Sequence, residues 1–543
     1  MTDIQAASAS RYDGAWRDRP DRHFYLVGGG IASMAAAVFL IRDGDIPGHR
    51  ITIFEESDRL GGSLDGAGSP TTGYTLRGGR MLESKYVCTF ELFDSIPTLD
   101  GTRTVTAETL AWNQTMKTSS KSRLVRDGMR QTAPAFGLSE REILSLERLI
   151  VEPEIMLGHT SIADQFDPAF FRSDFWFMWC TTFAFQPWHS AVEFKRYLAR
   201  FAHMVDGFDR LRGIMRTVYN QYDSLVRPLH KWLLERGVRF EMGTRVTDLR
   251  FTDAGGKLSV GHIAVRRSGA DGAIAVTARD YVLVTLGSMT EASTLGTMDT
   301  APALGTRRDG GAWTLWDTLA SAHPQFGRPE VFAGHVDQSK WVSFTTTLHA
   351  PTFLHMVLER TGNVPGEGGL ITFPDSAWLL SIVIPHQPHF IGQPDDVGVF
   401  WGYGLTVDRP GDFVGKPMSA CSGRDIMTEV LGHLRIEAEA AAIIGSSVCI
   451  PCMMPFITSQ FLPRGQGDRP PVHPEVAHNF AFMGQFCEIP DDVVFTVEYS
   501  VRSAQTAVYG LLGLKLKPPG VYQGKFDPRV LVRAFRALHD IAA

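Results

Sequence analysis

Gly28-Gly29-Gly30-Ile31-Ala32-Ser33 follows four apolar residues, Phe24-Tyr25-Leu26-Val27, and opens an alanine-rich run to Arg42. A strand that turns through glycine into a helix leaves free N–H groups at the helix N-terminus. Those groups and the helix dipole bind a pyrophosphate. Gly28 permits the tight turn and Gly30 the close approach of backbone to phosphate, while Ser33 stands where a third glycine is usual. A second strand, Ile51–Phe54, ends at Glu55 with Glu56 beside it. An acid in that place takes ribose hydroxyls. Strand, helix, strand and acid in register predict a bound dinucleotide.

Arg59-Leu60-Gly61-Gly62, followed by Ser63, extends the pattern as FAD-binding two-dinucleotide folds do. Val282–Thr285 running into Leu286-Gly287-Ser288 resembles the returning strand of that fold. Met483-Gly484, then Phe495-Thr496 and a helix over Val497–Leu512, resembles its late glycine and closing helix. The implied architecture is α/β, with a Rossmann-like FAD-binding domain, an inserted mixed α/β substrate domain and a small helical C-terminal segment. Its boundaries read as a loose arm at 1–22, an FAD domain in pieces at 23–130, 238–310 and 475–515, a substrate domain at 131–237 and 311–474, and the helical segment at 516–543.

The rest of the chain must position these residues. It holds 543 residues with a net charge of −6, 44% hydrophobic and 21% charged. That composition excludes a disordered chain, and the acidic balance excludes a general nucleic-acid binder. The six cysteines are too few for a secreted disulfide framework, and Met1 to Arg22 is polar and charged, so a cytoplasmic protein is expected. Capping patterns Ser139-x-x-Glu142 and Ser190-x-x-Glu193 predict helices to Ile150 and about Val205. Another helix is expected over Tyr222–Arg236, and Asp65 to Arg80 reads as a loop. Ten of the 23 residues from Phe166 to Trp188 are Phe or Trp, the material for a dry channel.

Longer strings sharpen the reading. They are GGGIASMAAAVFLIRDG (28–44), GGSLDG (61–66), GYTLRGGRMLE (73–83), FAFQPWHSAVEFKRYL (183–198), YNQYDSLVRPL (219–229) and FTVEYSVRSAQTAVYGLL (495–512). Together they resemble the oleate hydratase family, also called the myosin-cross-reactive antigen family. The resemblance covers nearly all of the chain past residue 23. It implies a hydro-lyase that binds FAD in a non-redox role and adds water to the cis-9 double bond of free unsaturated fatty acids, oleate giving 10-hydroxystearate. Such chemistry needs an oriented proton donor, a placed water and an anchor for the carboxylate.

The resemblance places the proton donor at Tyr197, with Phe194, Leu198 and Phe201 around it on a helix; Tyr219 and Tyr222 are the alternatives. The family's water-positioning glutamate follows its RGGR string, but here Arg77-Gly78-Gly79-Arg80 runs into Met81. A thioether is no base, so Glu83 is a candidate substitute, and backbone carbonyls or flavin edge atoms are another water site. Arg77, Gly79, Arg80 and Met81 are expected at the flavin; for Arg77 and Arg80 the alternatives are the fatty-acid carboxylate and a loop-fixing role. The family's anchor, Thr-x-Asn-Arg-Gln-Pro-His, becomes Val383-Ile384-Pro385-His386-Gln387-Pro388-His389. Gln221, His386 and His389 are the expected carboxylate contacts. His386-x-x-His389 lacks a third ligand, so no metal is expected.

Cys449-Ile450-Pro451-Cys452 has redox spacing but no thioredoxin-like setting, and reads as two buried thiols. The tail from Phe526 carries Val530, Leu531, Phe535, Leu538 and Ile541 with Arg529, Arg533 and Arg536. That basic amphipathic helix suits peripheral membrane contact, docking on its own domain or a dimer contact; monomer and homodimer both remain open. The competing functions are a flavin-dependent redox enzyme acting on fatty acids or amines, and a non-catalytic fatty-acid carrier.

Overall fold

The computed structural model describes residues 22–79, 81–131 and 136–539. The arm before residue 22, Arg80 and Ile541 therefore lie outside the described residues.

Five strands form one parallel sheet: β1 (Phe24–Val27), β2 (Ile51–Phe54), β3 (Arg239–Glu241), β4 (Tyr281–Thr285) and β5 (Phe480–Met483). Their order is β5-β4-β1-β2-β3. Phe24 sits in register with Tyr281 on one side and Ile51 on the other, and Val282 with Phe480. Strands β1, β2, β4 and β5 are nearly continuous apolar runs, as parallel strands covered on both faces must be, while the edge strand β3 is Arg-Phe-Glu. Helix α1 (Ile31–Arg42) buries every residue from Ile31 to Leu40, because Ala35, Ala36 and Ala37 let it press closely on the sheet.

A six-stranded antiparallel sheet holds 294–295, 447–454, 341–348, 398–404, 381–383 and 370–372, in that order. A three-stranded antiparallel sheet holds Thr244–Asp253, Leu258–Arg267 and Ala270–Ala275. Helices α2 (Asp174–Phe183) and α3 (Ala191–Phe201) carry much of the aromatic cluster. The remaining helices used below are α4 (Gly311–Ala322), α5 (Val497–Leu512) and α6 (Pro528–Leu538). Helix α5 packs on α1, and its Tyr509 hydroxyl donates to Asp43 Oδ2 at 2.8 Å.

Several local expectations change. The stretch read as a loop contains a hairpin, Gly66–Ser69 with Gly73–Leu76. The N–H groups of Tyr74 and Leu76 donate to the Thr347 and Thr345 hydroxyls of the antiparallel sheet, so threonine side chains supply an edge that the sequence pattern hides. Helix α3 ends at Phe201, and 202–210 continues as a tighter 3₁₀ turn broken at Gly207. Residues 222–226 form a π turn before the helix Arg227–Glu235. Two further helices are Gly423–His433 and Ala440–Gly445. Ser139 and Glu142 make the full capping box. Ser190 caps α3, but the Glu193 carboxylate turns instead to Arg464 and Arg469, each at 2.9 Å. Burial would raise that carboxyl, yet the arginines hold it at about 2. Cys449 and Cys452 are buried on one regular strand, three positions apart and so on opposite faces. Burial pushes the two thiols up to about 12 and about 11.

Candidate active site

A large cleft opens where β1 passes into α1. Its wall includes Gly28, Gly30, Ile31 and Ala32. Gly28 has φ +94°, which only glycine adopts without strain. Gly30 begins α1 with no side-chain cap, and a Cβ there would meet open space. No side chain among the described residues caps the first turn of α1, and Ile31 and Ala32 line the cleft there, an arrangement that suits a phosphate. Glu55 also lines it, accepting from Gly29 N–H at 2.6 Å and from the Ser57 N–H and hydroxyl, each at 2.8 Å. These features fit a dinucleotide.

Other expected residues divide. Glu56, Gly62, Ser63, Arg77, Gly287, Ser288 and Gly484 line the same cleft. Glu56 is paired with Arg245 and accepts the Gly311 N–H at the start of α4. Arg77 is held by Asp65 at 2.9 Å and donates to the Thr290 carbonyl at 3.3 Å. Ser33 is fully buried behind the wall, its Oγ 3.3 Å from Thr285 Oγ1. It ties α1 to β4 where a glycine is usual. Phe495 and Thr496 are outside the wall. Thr496 caps α5 through its hydroxyl, Phe495 takes φ +67°, and Ser500, one turn further, reaches the cleft.

Glu291 was not expected. It sits in the cleft and accepts the Trp313 N–H at 3.1 Å, while its Oε1 is buried with no hydrogen-bond partner among the described residues. Burial pushes its carboxyl up to about 8; the Trp313 N–H opposes this, and the Glu56 charge adds to it.

A second, smaller cavity is walled by Met81, Gln221, His386 and His389, with Trp112, Arg216, Tyr219 and Trp401. Met81 belongs here rather than to the wall of the large cleft. Gly79 belongs here too, because a Cβ at that position would fall 2.4 Å from the Trp401 ring. Gln221 and His389 meet because Asn220 donates its N–H at 2.9 Å and its Nδ2 at 3.0 Å to the His389 carbonyl. Gln387 fixes the same loop, bonding the carbonyl and N–H of Val399 at 2.8 and 3.0 Å. His386 packs edge-on against Trp112 at 4.8 Å. Burial, with the charges of Arg216 and His386, holds His389 down at about 3.

Tyr197 and Glu83 lie in neither wall. Tyr197 is 1% exposed, ringed by Phe183, Phe185 and Phe201 at 5.0–5.4 Å. Its hydroxyl donates to the Val494 carbonyl, just before Phe495. Glu83 is bound to Arg200 at 2.7 Å, His203 at 3.3 Å and the Lys85 N–H at 2.7 Å. Burial raises its carboxyl, but the His203 hydrogen bond and the Arg200 charge win and hold it below the usual range.

The pattern that defines the MCRA family matches residues 21–509. The chain belongs to the MCRA family. A curated MCRA-like relative, "Oleate hydratase" of Streptococcus pyogenes serotype M49 (strain NZ131), is 39% identical over 529 residues, 95% of this chain and 89% of the relative. "Linoleate hydratase" of Lactiplantibacillus plantarum is 32% identical over 564 residues, 95% of this chain and 98% of the relative. Among solved structures, cyclohexylamine oxidase from Brevibacterium oxydans IH-35A has a TM-score of 0.52 at 12% identity, covering 91% of this chain and 99% of that one. That likeness concerns the fold alone.

In this MCRA chain, Arg245, Glu291 and Arg216 escape sequence reasoning. None sits in a local motif, and each reaches its cavity from an element distant in the chain.

Proposed function

We propose that the protein hydrates the cis-9 double bond of free unsaturated fatty acids, converting oleate and water to 10-hydroxystearate, with FAD bound in a non-redox role. The observation that carries this reading is the near full-length likeness to two curated hydratases, neither below 32% identity. Bound FAD would supply a polar, planar surface to the site. Gly28, Gly30 and the α1 N-terminus would hold its pyrophosphate, Glu55 its ribose, and Gly62, Ser63, Arg77 and Gly484 its neighbouring parts. Arg80 keeps the same expected role and lies outside the described residues.

Tyr197 is the proposed proton donor. Its aromatic surroundings disfavour the phenolate and keep the hydroxyl a donor. To reach an alkene the hydroxyl swings from the Val494 carbonyl, a rotation about its own side-chain bonds. Met81 offers no base, so the water is held by backbone carbonyls near Gly79–Met81. Glu83 acts indirectly, anchoring Arg200 beside Lys85 and Tyr86. Gln221, His386 and His389 form the carboxylate end, in the cavity that also holds Met81.

Incubation of the flavin-loaded protein with oleate, read by mass spectrometry, tests the proposal. A gain of one water without an electron acceptor supports it. Loss of two hydrogens, or dependence on dioxygen, would establish the flavin redox alternative instead.

Helix α6 is the proposed membrane contact. Phe526 is 76% exposed, and Leu531, Val532 and Phe535 are also exposed, alternating with Arg529, Arg533 and Arg536. Apolar side chains among arginines suit an anionic bilayer. No helix among the described residues is long and apolar enough to cross a membrane. Sedimentation with anionic liposomes, weakened by deleting 526–543, is the expected result; equal sedimentation rules the role out.

A further inference from the structure

Arg216 stands in the wall of the smaller cavity beside Gln221, His386 and His389. Its backbone is clamped at both ends by one side chain. The Arg216 N–H donates to Asn113 Oδ1 at 2.9 Å, and its carbonyl accepts from Asn113 Nδ2 at 2.7 Å. The preceding residue, Met215, pairs with Leu82, which sets Arg216 against the Met81 segment.

The guanidinium is unusual. The residue keeps some exposed surface, yet its Nε and Nη2 are closed off and meet no hydrogen-bond partner among the described residues. Burial lowers it to about 10, and no carboxylate among the described residues raises it. It remains a cation at neutral pH. A buried charge lacking a counter-ion is strongly unfavourable. Other buried arginines have partners: Arg200 has Glu83, Arg464 and Arg469 share Glu193, and Arg123, which also lacks a carboxylate, donates to the Leu370 and Met178 carbonyls and the Thr182 hydroxyl. His389 cannot compensate or compete, because burial and the Arg216 charge keep it neutral.

The cavity thus offers one unpaired fork of N–H donors, neutral hydrogen-bonding groups on Gln221 and His389, and apolar walls from Trp112, Val383 and Trp401. We infer that Arg216 is the counter-ion that receives the fatty-acid carboxylate, with Gln221 and His389 as its neutral partners. The planar guanidinium suits bidentate pairing with a carboxylate. The inference rests on the fatty-acid reading above.

The test compares equilibrium binding of oleate, oleamide and oleyl alcohol to the flavin-loaded full chain, by calorimetry at low salt. Wild-type protein is expected to bind oleate at least tenfold more tightly than either neutral analogue. Arg216→Gln should weaken oleate binding roughly thirtyfold and leave oleamide binding unchanged, while Arg216→Lys recovers part of the loss. Equal wild-type affinity for oleate and oleamide overturns the assignment without any variant, so a misfolded Arg216→Gln does not shield it. Unchanged oleate affinity in a folded Arg216→Gln also overturns it. Product mass is measured in parallel. Carboxylate preference without a gain of water would overturn hydration and leave Arg216 standing, and hydration without carboxylate preference would do the reverse.

Discussion

The Tyr197 hydroxyl donates to the backbone carbonyl of Val494, 297 positions away in the chain. That bond joins α3, carrying the proposed proton donor, to the turn that starts α5. The donor is thereby parked on protein, beside the loop that closes the dinucleotide domain.

Tyr197→Phe removes the proton and keeps the ring. Hydration of oleate is expected to fall by about 10²–10⁴-fold, with flavin absorbance unchanged. Loss of the hydrogen bond should cost about 1 kcal/mol in unfolding free energy. Unchanged turnover would overturn the donor assignment.

Met81→Glu places a carboxylate in the cavity that holds Arg216. The new anion is expected to pair with that guanidinium and to weaken oleate binding tenfold or more. A rise in turnover, measured on the same preparation, would instead show that the cavity accepts a water-positioning glutamate.

Glu83→Gln leaves Arg200 buried without its counter-ion. A stability loss of about 3–5 kcal/mol is expected by denaturant unfolding, while kcat on oleate per folded molecule changes little. A large fall in kcat with stability intact would return Glu83 to the role of water base.

Glu291 makes stability depend on pH with a definite sign. Its folded carboxyl lies at about 8, above the ordinary 4.5. Between those values the folded chain holds a proton that the unfolded chain releases. The stabilising contribution is complete below about pH 4.5, falls as pH rises and is lost above about 8. Thermal unfolding between pH 6 and 9 should show this decline in the wild type, and Glu291→Gln should lack it. Parallel curves for the two proteins would contradict it.

The dinucleotide half is legible in the sequence because its chemistry is local. Gly28, Gly30 and Glu55 work within one βαβ unit, so spacing alone reports their geometry. The α/β architecture follows from the same unit and from the glycine turns at Gly287 and Gly484. The second cavity is different. Trp112, Arg216, His386 and Trp401 come from separate elements, and no periodicity links them. Arg216 reads in sequence as one arginine among many, and its meaning comes from the absence of a partner after folding. Glu83 shows the converse. Proximity to Met81 in the chain suggests catalysis, while Arg200 and His203, its observed partners, lie more than a hundred residues on. The hairpin at 66–76 is hidden because threonine hydroxyls, rather than a third strand, take the Tyr74 and Leu76 N–H groups.

The parallel sheet also sets a schedule for folding. Strands β1 and β2 are made early, β4 much later, and β5 arrives only at Phe480. Until then β4 has an unpaired edge and α5, which covers α1, does not exist. Contacts this far apart in sequence make folding slow. A chain stopped short of β5 carries an open strand edge and the bare apolar face of α1, both invitations to aggregation. Truncations from the C-terminal side should therefore be tolerated up to the end of α5 and produce insoluble protein beyond it.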